Sequence, residues 1–287
     1  MARSKDPILL TPVNLDIDLL NRQRTAGLLL LICTVISLWL TNSSAGHSYL
    51  ALWHHEVAGG AVEYWINDGL RAIFGLMIGL ELEREVYIGE LSDRKKAMLP
   101  AIAALGGMLV PAGIHMFFNH GTAYHSGAGI PMATDIAFAV GILALLGNRV
   151  PLPLKIFLLA LAVIDDLGAI FTIAIFYSTG IHWGYLGGAL GVYGFLLVLN
   201  RLRVFNLTPY LVLGVLMWWL MLHSGVHSTV AGVLVAFAIP FGDGTENSTS
   251  WKLQHFLHKP VSFIILPLFA LANTCLVLEP DWYGHLV

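Results

Sequence analysis

Two adjacent aspartates lie in the middle of an apolar stretch. Asp165 and Asp166 follow Leu-Ala-Leu-Ala-Val-Ile and precede Leu-Gly-Ala-Ile-Phe. A charged side chain at the centre of a bilayer costs about 2.5–3.5 kcal/mol even on insertion scales, and such side chains mark ion or proton paths. The residue types and their setting therefore indicate a site that binds a cation or a proton.

The composition indicates a membrane protein. Hydrophobic residues make up 57% of the 287 residues and charged residues 11%, with a mean hydropathy of +0.75. A soluble domain carries about 25% charged residues. The net charge is −3 and the basic residues form no run within a folded domain, so nucleic-acid binding is not expected. Cys33 and Cys275 both fall in apolar stretches, so no disulfide framework is implied.

The apolar stretches divide into about nine candidate spans, since a helix needs about 20 residues to cross the hydrocarbon core. They form a single transmembrane domain, 1–287, of the all-α polytopic class, because the runs lack the alternation that a membrane barrel requires. The candidate spans lie near 25–42, 64–82, 97–118, 129–147, 152–177, 184–200, 207–222, 226–241 and 256–278.

The basic residues predict the orientation. Fourteen of the fifteen Lys and Arg fall before the first span or next to the loops that follow the even-numbered spans. The alternate loops, 43–63, 119–128, 178–183 and 223–225, contain none. Because Lys and Arg accumulate in cytoplasmic loops, the N-terminus is predicted to be cytoplasmic. Arg71, inside the second span, is the exception.

The depth of the embedded acids can be measured from the nearest basic residue. Asp165 follows Lys155 by ten residues, about 15 Å of helix, and Asp135 precedes Arg149 by fourteen, about 21 Å. Both acids therefore lie near the bilayer midplane. The predicted spans contain only these acids: Asp68, Glu81, Asp135, Asp165 and Asp166.

The fourth span is predicted to be broken. Pro131 lacks a backbone donor, and Thr134 and Asp135 carry polar groups that compete with helical hydrogen bonds. An opened backbone at this depth is tolerated where it lines a cavity or is packed in protein. The freed carbonyls would then lie beside Asp135.

Together, Asp135, Asp165 and Asp166 suggest an anionic pocket rich in oxygen. Such a pocket suits a hard cation, whereas thiolates or clustered imidazoles suit softer metals. Adjacent carboxylates repel one another, so at least one of them is expected to bind a proton near neutral pH. If cation and proton compete for a site that opens to alternate sides, exchange of one for the other follows.

Several segments resemble the NhaA-type sodium/proton antiporters. The two main motifs are Ala133-Thr-Asp-Ile-Ala-Phe-Ala139 and Leu161-Ala-Val-Ile-Asp-Asp-Leu-Gly-Ala169. The resemblance runs in order from the first span to the last. Its supporting segments are Trp65-Ile-Asn-Asp68, Gly79-Leu-Glu-Leu-Glu-Arg-Glu85, Ser224-Gly-Val-His-Ser-Thr229 and Leu266-Pro-Leu-Phe-Ala-Leu-Ala-Asn273.

The resemblance implies an antiporter fold with inverted repeats, the first of them near 97–177, in a bacterial inner membrane. It implies a transporter rather than an enzyme, which exchanges intracellular Na⁺ or Li⁺ for external H⁺ and so regulates cytoplasmic pH and sodium. Transport is expected to be electrogenic and activated at alkaline pH, with no cofactor. The expected partners are the transported ions and the lipid bilayer, and a homodimer is compatible.

The resemblance also implies residue roles. Asp165 and Asp166 would bind the cation, Na⁺ or Li⁺, and the proton, and Thr134 and Asp135 would lie in the unwound part of the fourth helix. The residues matching the positions that sense pH are Glu81, Arg84, Glu85 and His227.

The sequence departs from the family at its end. Family members continue for three more helices, one of which carries a lysine beside the aspartate pair, whereas this chain ends at Val287 after the ninth span. The second inverted repeat is therefore expected to be missing from this chain, and the chain to be incomplete at its C-terminus. Arg71, and Gln254 where the family tends to carry an acid, are smaller departures.

Other functions remain open at this point. The chain could be an inactive truncated form or an assembly subunit of such a transporter. An intramembrane aspartyl protease is disfavoured because consecutive aspartates diverge by about 100° on a helix. A serine protease using Ser224 or Ser228 lacks a defined nucleophile turn. Cleavage of the first span as a signal peptide is disfavoured because its preceding segment is long and contains acids.

Two local patterns have structural interpretations. Asp68 and Arg71 are spaced to pair on one helical face. Four glycines suit close helix packing, namely Gly75, Gly79, Gly106 and Gly107.

Overall fold

The computed structural model describes residues 17–57, 59–122, 124–132, 150–176 and 180–278. These ranges are helical apart from a short hairpin and the connecting turns. Helices are the expected form, because a single segment in hydrocarbon must satisfy its own backbone donors and acceptors. The predicted all-α class is therefore confirmed.

The α-helices follow one another with short connections. In chain order they are α1 (Ile17–Thr41), α2 (Gly46–His54), α3 (Val62–Trp65), α4 (Arg71–Tyr87), α5 (Arg94–Phe118), α6 (Leu152–Phe176), α7 (Trp183–Arg201), α8 (Leu207–Ser224), α9 (Ser228–Ala238), α10 (Thr249–Pro260) and α11 (Leu266–Asn273).

Shorter elements complete the architecture. π-helical segments join α3 to α4 (Ile66–Leu70) and α10 to α11 (Val261–Ile265). Single 3-10 segments precede α5 (Glu90–Ser92) and follow it (His125–Met132). Strands β1 (Glu56–Val57) and β2 (Gly60–Ala61) pair antiparallel, with Glu56 opposite Ala61.

Several described helices are long and apolar enough to cross a membrane. Four pass this test alone, and α1 with α2 passes as a pair bent by 114°. The four are Ala97–Phe118, Trp183–Arg201, Leu207–Ser224 and Thr249–Asn273. The chain is therefore a multi-pass membrane protein.

Most helix bounds agree with the predicted spans, but the first and the ninth helical stretches begin earlier than predicted, the first at Ile17 instead of 25. The prediction placed the ninth span at 256–278, but the helical stretch begins at Thr249 and ends at Asn273. The polar residues at the start of α10 gave no apolar signal, so the prediction missed its first turns. The Ser248 hydroxyl caps this helix by accepting a hydrogen bond from the N–H of Trp251 at 3.2 Å. The fourth span continues into residues 133–149, which lie outside the described ranges.

The closest helix contact joins α4 to α9 through glycines. A Cβ added at Gly75 would collide with the Thr229 carbonyl oxygen, and one at Gly79 would lie 2.6 Å from the Ala236 Cβ. From the other side, a Cβ at Gly232 would collide with the Ala72 carbonyl oxygen. The two helices run parallel, since residue numbers rise together along the contact. Small residues allow two helix backbones to approach closely, and the tight packing that results stabilises helix association in lipid.

The other predicted packing glycines do not act in this way within the described chain. No described atom lies within 4 Å of a Cβ added at Gly106 or Gly107. Both positions are exposed on α5 among the described residues. The prediction therefore holds for the α4 pair alone.

Side-chain hydrogen bonds tie the first helix to the last. The Ser37 hydroxyl of α1 donates to the Leu271 carbonyl oxygen at 2.8 Å, and the Tyr49 hydroxyl of α2 donates to the same oxygen at 2.9 Å. Ser37 is fully buried. Lipid is as apolar as most side chains, so apolar contacts alone do not favour helix association in a membrane. Hydrogen bonds between helices such as these stabilise the association. The two ends of the described chain are therefore held together.

We expect Gly75→Ala and Gly232→Ala to destabilise the protein by about 1–3 kcal/mol each, because overpacking forces backbone shifts. Thermal unfolding in detergent, followed by the exposure of buried cysteine, would measure the loss. Gly191→Ala is the matched control, since Gly191 is an exposed mid-helix glycine of α7 with open space at its Cβ. Equal unfolding temperatures for Gly75→Ala and Gly191→Ala would contradict the assigned packing.

Candidate cation and proton site

Asp165 lies near the middle of α6, about 20 Å along the helix axis from Leu152. Its side chain is 3% exposed. Ala162 and Gly168, one turn before and after it, keep the adjacent helix surface small. A carboxyl group removed from water needs compensating ligands or a proton. This position therefore suits a group that binds a cation or a proton.

Helix α5 covers α6 next to Asp165. The side chain of Met108 packs directly on Gly168, where a Cβ would collide with its sulfur. Met108 also belongs to a buried cluster with Met132, against which Ile164 packs. The cluster thus joins α5 and α6 with the segment that leads into the predicted broken helix.

For three of the four residues predicted to bind the cation and the proton, the side chain lies outside the described part of the chain. Asp166 is the next residue of α6, but its side chain lies outside the described part of the chain. Thr134 and Asp135 fall in 133–149, also outside it. Asp165 is therefore the described member of the predicted set.

The predicted sensing residues of α4 lie in its last turns. Glu81, Arg84 and Glu85 are all partly buried. The helix ends there because the Arg84 carbonyl oxygen accepts the N–H groups of both Ile88, at 2.9 Å, and Gly89, at 3.1 Å. These three residues therefore share one short stretch of helix.

Glu83 is the residue that sequence reasoning missed in this stretch. It is 2% exposed, and its Oε2 accepts a hydrogen bond from the Ser250 hydroxyl at 3.2 Å. The signal was present in the sequence, since Glu83 continues the row of Leu76 and Leu80 on one face of the helix, and both are buried.

His227 lies at the opposite end of the α4–α9 pair. It immediately precedes α9, where the Ser228 hydroxyl donates to Asp68 Oδ1 at 3.2 Å. Asp68 and Glu83 are separated by about 20 Å along the helix axis. The structure therefore does not bring His227 together with Glu81, Arg84 and Glu85.

Asp68 and Arg71 interact electrostatically, but the structure shows no direct ion pair between these two described residues. Asp68 accepts from Ser228, and its backbone carbonyl accepts the indole N–H of Trp218 at 3.0 Å. The Arg71 guanidinium lies over the Phe269 ring, 5.9 Å from its centroid. The π-helical segment Ile66–Leu70 changes the angular spacing on which a direct i, i+3 ion pair depends.

No described region gathers three or more His, Cys, Asp or Glu side chains that could hold a metal ion. Hard monovalent cations need only oxygen ligands, which carboxylate and carbonyl groups supply. The carboxyl group of Asp165 has oxygens of this kind in a buried position.

Comparison with known proteins identifies the relatives of this chain. A model of the family Na⁺/H⁺ antiporter 1 matches residues 17–287. The chain is 63% identical to the Na⁺/H⁺ antiporter NhaA of Cytophaga hutchinsonii over 270 residues, which cover 94% of this chain and 70% of that protein.

Two further relatives agree. The NhaA antiporter of Flavobacterium psychrophilum is 63% identical over 264 residues, covering 92% of this chain and 69% of that protein. That of Mesorhizobium japonicum is 47% identical over 283 residues, covering 96% and 71%. The buried acid of α6, the helical membrane fold and these matches lead to one conclusion: the chain belongs to the Na⁺/H⁺ antiporter 1 family.

Proposed function

We propose that this chain exchanges Na⁺ for H⁺ across a membrane, with Asp165 and Asp166 as the groups that bind one ion or the other. The relatives are named Na⁺/H⁺ antiporters, and they match more than nine-tenths of the chain. The single structural observation behind the site is the burial of Asp165 in the middle of an apolar helix.

The exchange rests on competition. A buried carboxylate is stable only when a proton or a cation compensates its charge. If the same carboxylate oxygens bind Na⁺ and H⁺, the carboxyl groups must lose their protons before Na⁺ can bind. Each Na⁺ that binds therefore releases protons. Alternating exposure of such a site to the two sides of the membrane couples the two flows in opposite directions.

Thr134 and Asp135 complete the proposed site. Their assignment is supported by Met132, which precedes them in the chain and is buried in the same cluster against which Ile164 packs. Ile164 is the neighbour of Asp165. The 3-10 conformation of His125–Met132, which contains Pro131, fits a fourth helix that begins irregularly.

Four residues are proposed to set the pH response, with activation at alkaline pH. Three of them, Glu81, Arg84 and Glu85, lie together at the end of α4, and His227 lies at the start of α9. Because the two groups occupy opposite ends of the α4–α9 contact, we assign them separate roles at the two sides of the membrane. Transport of Li⁺ as well as Na⁺ belongs to the same proposal.

The proposed location is a bacterial inner membrane, with the N-terminus in the cytoplasm. The parallel packing of α4 and α9 supports the span count behind this orientation, because the second and eighth predicted spans must cross in the same direction. Basic residues near the end of α4 and at the start of α10 favour the cytoplasmic side for both.

Na⁺ binding should weaken when Asp165 is neutralised. We expect Asp165→Asn to lower the Na⁺ affinity of the purified chain more than tenfold, and the wild-type affinity to rise by about tenfold for each pH unit while one proton is displaced. Isothermal titration calorimetry in detergent would measure both effects.

Asp243→Asn is the control for the loss of one negative charge, since Asp243 lies in an exposed turn where it accepts hydrogen bonds from Thr245. It should leave the Na⁺ affinity unchanged. A Na⁺ affinity that does not depend on pH, or that survives in Asp165→Asn, would remove the basis of the proposed exchange.

The orientation can be tested with single cysteines after Cys33 and Cys275 are replaced by serine. In intact cells, a membrane-impermeant thiol reagent should label His120→Cys and leave Asn247→Cys unlabelled, with the reverse in inside-out vesicles. Both positions are exposed, in the turn after α5 and the turn before α10. Labelling of Asn247→Cys from outside the cell would show that the orientation is inverted.

A further inference from the structure

An apolar groove runs along the described surface between α4 and α8, and α9 forms its floor. Its volume is about 520 Å³, which lies within the range of ligand pockets. The described residues that line it come from these three helices and from the turns that lead into α4, and they are apolar or aromatic. The groove therefore offers contacts to hydrocarbon inside the membrane.

Glycines give the groove its depth. A Cβ added at Gly69, just before α4, would have no described atom within 4 Å. One added at Gly214 of α8 would lie 3.3 Å from the Val235 side chain of α9, so α8 approaches the floor closely at this point. The two walls thus lack side chains where an occupant would lie, and the space between them is open.

Two tryptophans lie at one end of the groove. The ring centroids of Trp65 and Trp218 are 6.4 Å apart. The indole N–H of Trp65 donates to the Val57 carbonyl oxygen at 2.8 Å, and that of Trp218 donates to the Asp68 carbonyl oxygen at 3.0 Å. Tryptophan is enriched at the level of the lipid headgroups. This end is therefore assigned to the membrane surface, where it offers ring faces and no free indole donor.

The length of the groove matches one leaflet of a bilayer. Its lining residues run from Trp65 to Leu76, a separation of eleven residues, which is about 16 Å of helix. Each leaflet contributes about 15 Å of hydrocarbon. A helix of a second copy would have to continue across the other leaflet, whereas a lipid tail ends at the midplane. The length therefore favours an acyl chain as the occupant.

The last described residues lie away from the groove. Arg71, which contacts Phe269 of α11, is two residues from the lining residue Ile73. This spacing places the two side chains about 160° apart around α4. The N–H of Leu278 donates to the Asn42 side chain at 2.8 Å, just beyond the end of α1. The groove thus faces a different side of α4 from α11.

We propose that this groove binds one acyl chain of a bilayer phospholipid, whose headgroup lies beside Trp65 and Trp218. The site recognises the hydrocarbon chain and not the headgroup, because the indole N–H groups at its outer end are already paired. The bound chain fills the space between α4 and α8 and thereby stabilises their arrangement. The proposal does not depend on Na⁺/H⁺ exchange.

Photo-crosslinking of the whole chain in phosphatidylcholine vesicles provides the test. The probe is a phosphatidylcholine with a diazirine in the middle of one acyl chain, and mass spectrometry identifies the labelled residues. We expect labelling of residues 69–76 in the wild type and a loss of about fivefold in Val215→Trp, because the larger ring occupies the pocket that encloses the ligand. Val212→Trp is the matched control and should leave the labelling unchanged. Both valines lie on α8 and are similarly exposed, at 63% and 62%, but Val212 is not among the described lining residues.

A second variant, Ile73→Trp, fills the groove from α4 and should give the same loss if Val215→Trp does not fold. A phosphatidylglycerol probe with the same tail should label the segment equally well. An unlabelled segment in the wild type, or labelling that persists in the folded groove variants, would overturn the proposal. Two other results would also overturn it: loss of labelling when an equal amount of oleate is added, which would indicate a free fatty acid, and disulfide-linked dimers of Val215→Cys, which would indicate a second copy of the chain.

Discussion

The close approach of α4 and α9 is the constraint on which most of the described fold depends. Inside a bilayer, apolar side chains gain little by leaving lipid, so helices associate through tight packing and hydrogen bonds. Glycines at 75, 79 and 232 let the two backbones meet along their length. Both ends of the contact then carry polar connections, Asp68 with Ser228 at one end and Glu83 with Ser250 of α10 beyond the other.

The two buried acids illustrate two solutions to the same energetic problem. Asp165 lies in the middle of an apolar helix beside small residues, and we propose that a bound ion or proton compensates its charge. Glu83 instead meets a hydroxyl group and the positively polarised end of a helix, which are fixed parts of the fold. A mobile compensating charge suits transport, whereas a fixed one suits a connection between helices.

The sequence predicted most of the described apolar helices well, because burial in lipid imposes long, uniform patterns, whereas the role of Asp165 stays a prediction. It failed where a short-range pattern had two interpretations. Glu83 stands in a run of charged residues that resembles a solvated helix end, although its spacing from Leu76 and Leu80 places it on the buried face.

Smaller elements were also missed. The polar start of α10 concealed its first turns, and α2 and the β1–β2 hairpin are too short to produce a periodic signal. Asp68 and Arg71 interact without a direct ion pair, because ordinary helical spacing does not apply within a π-helical segment. Thr134, Asp135 and the side chain of Asp166 stay predictions.

The π-helical segment Ile66–Leu70 has a consequence for the helix that contains it. A π-helical turn holds one more residue than an α-helical turn, so it shifts the angular phase of everything that precedes it relative to everything that follows. The short helix α3, which carries Trp65, is therefore rotated about the common axis relative to α4, which packs on α9. Residues of α3 and of α4 can then face different neighbours, although the two helices are continuous. A substitution in α3 need not disturb the packing of α4.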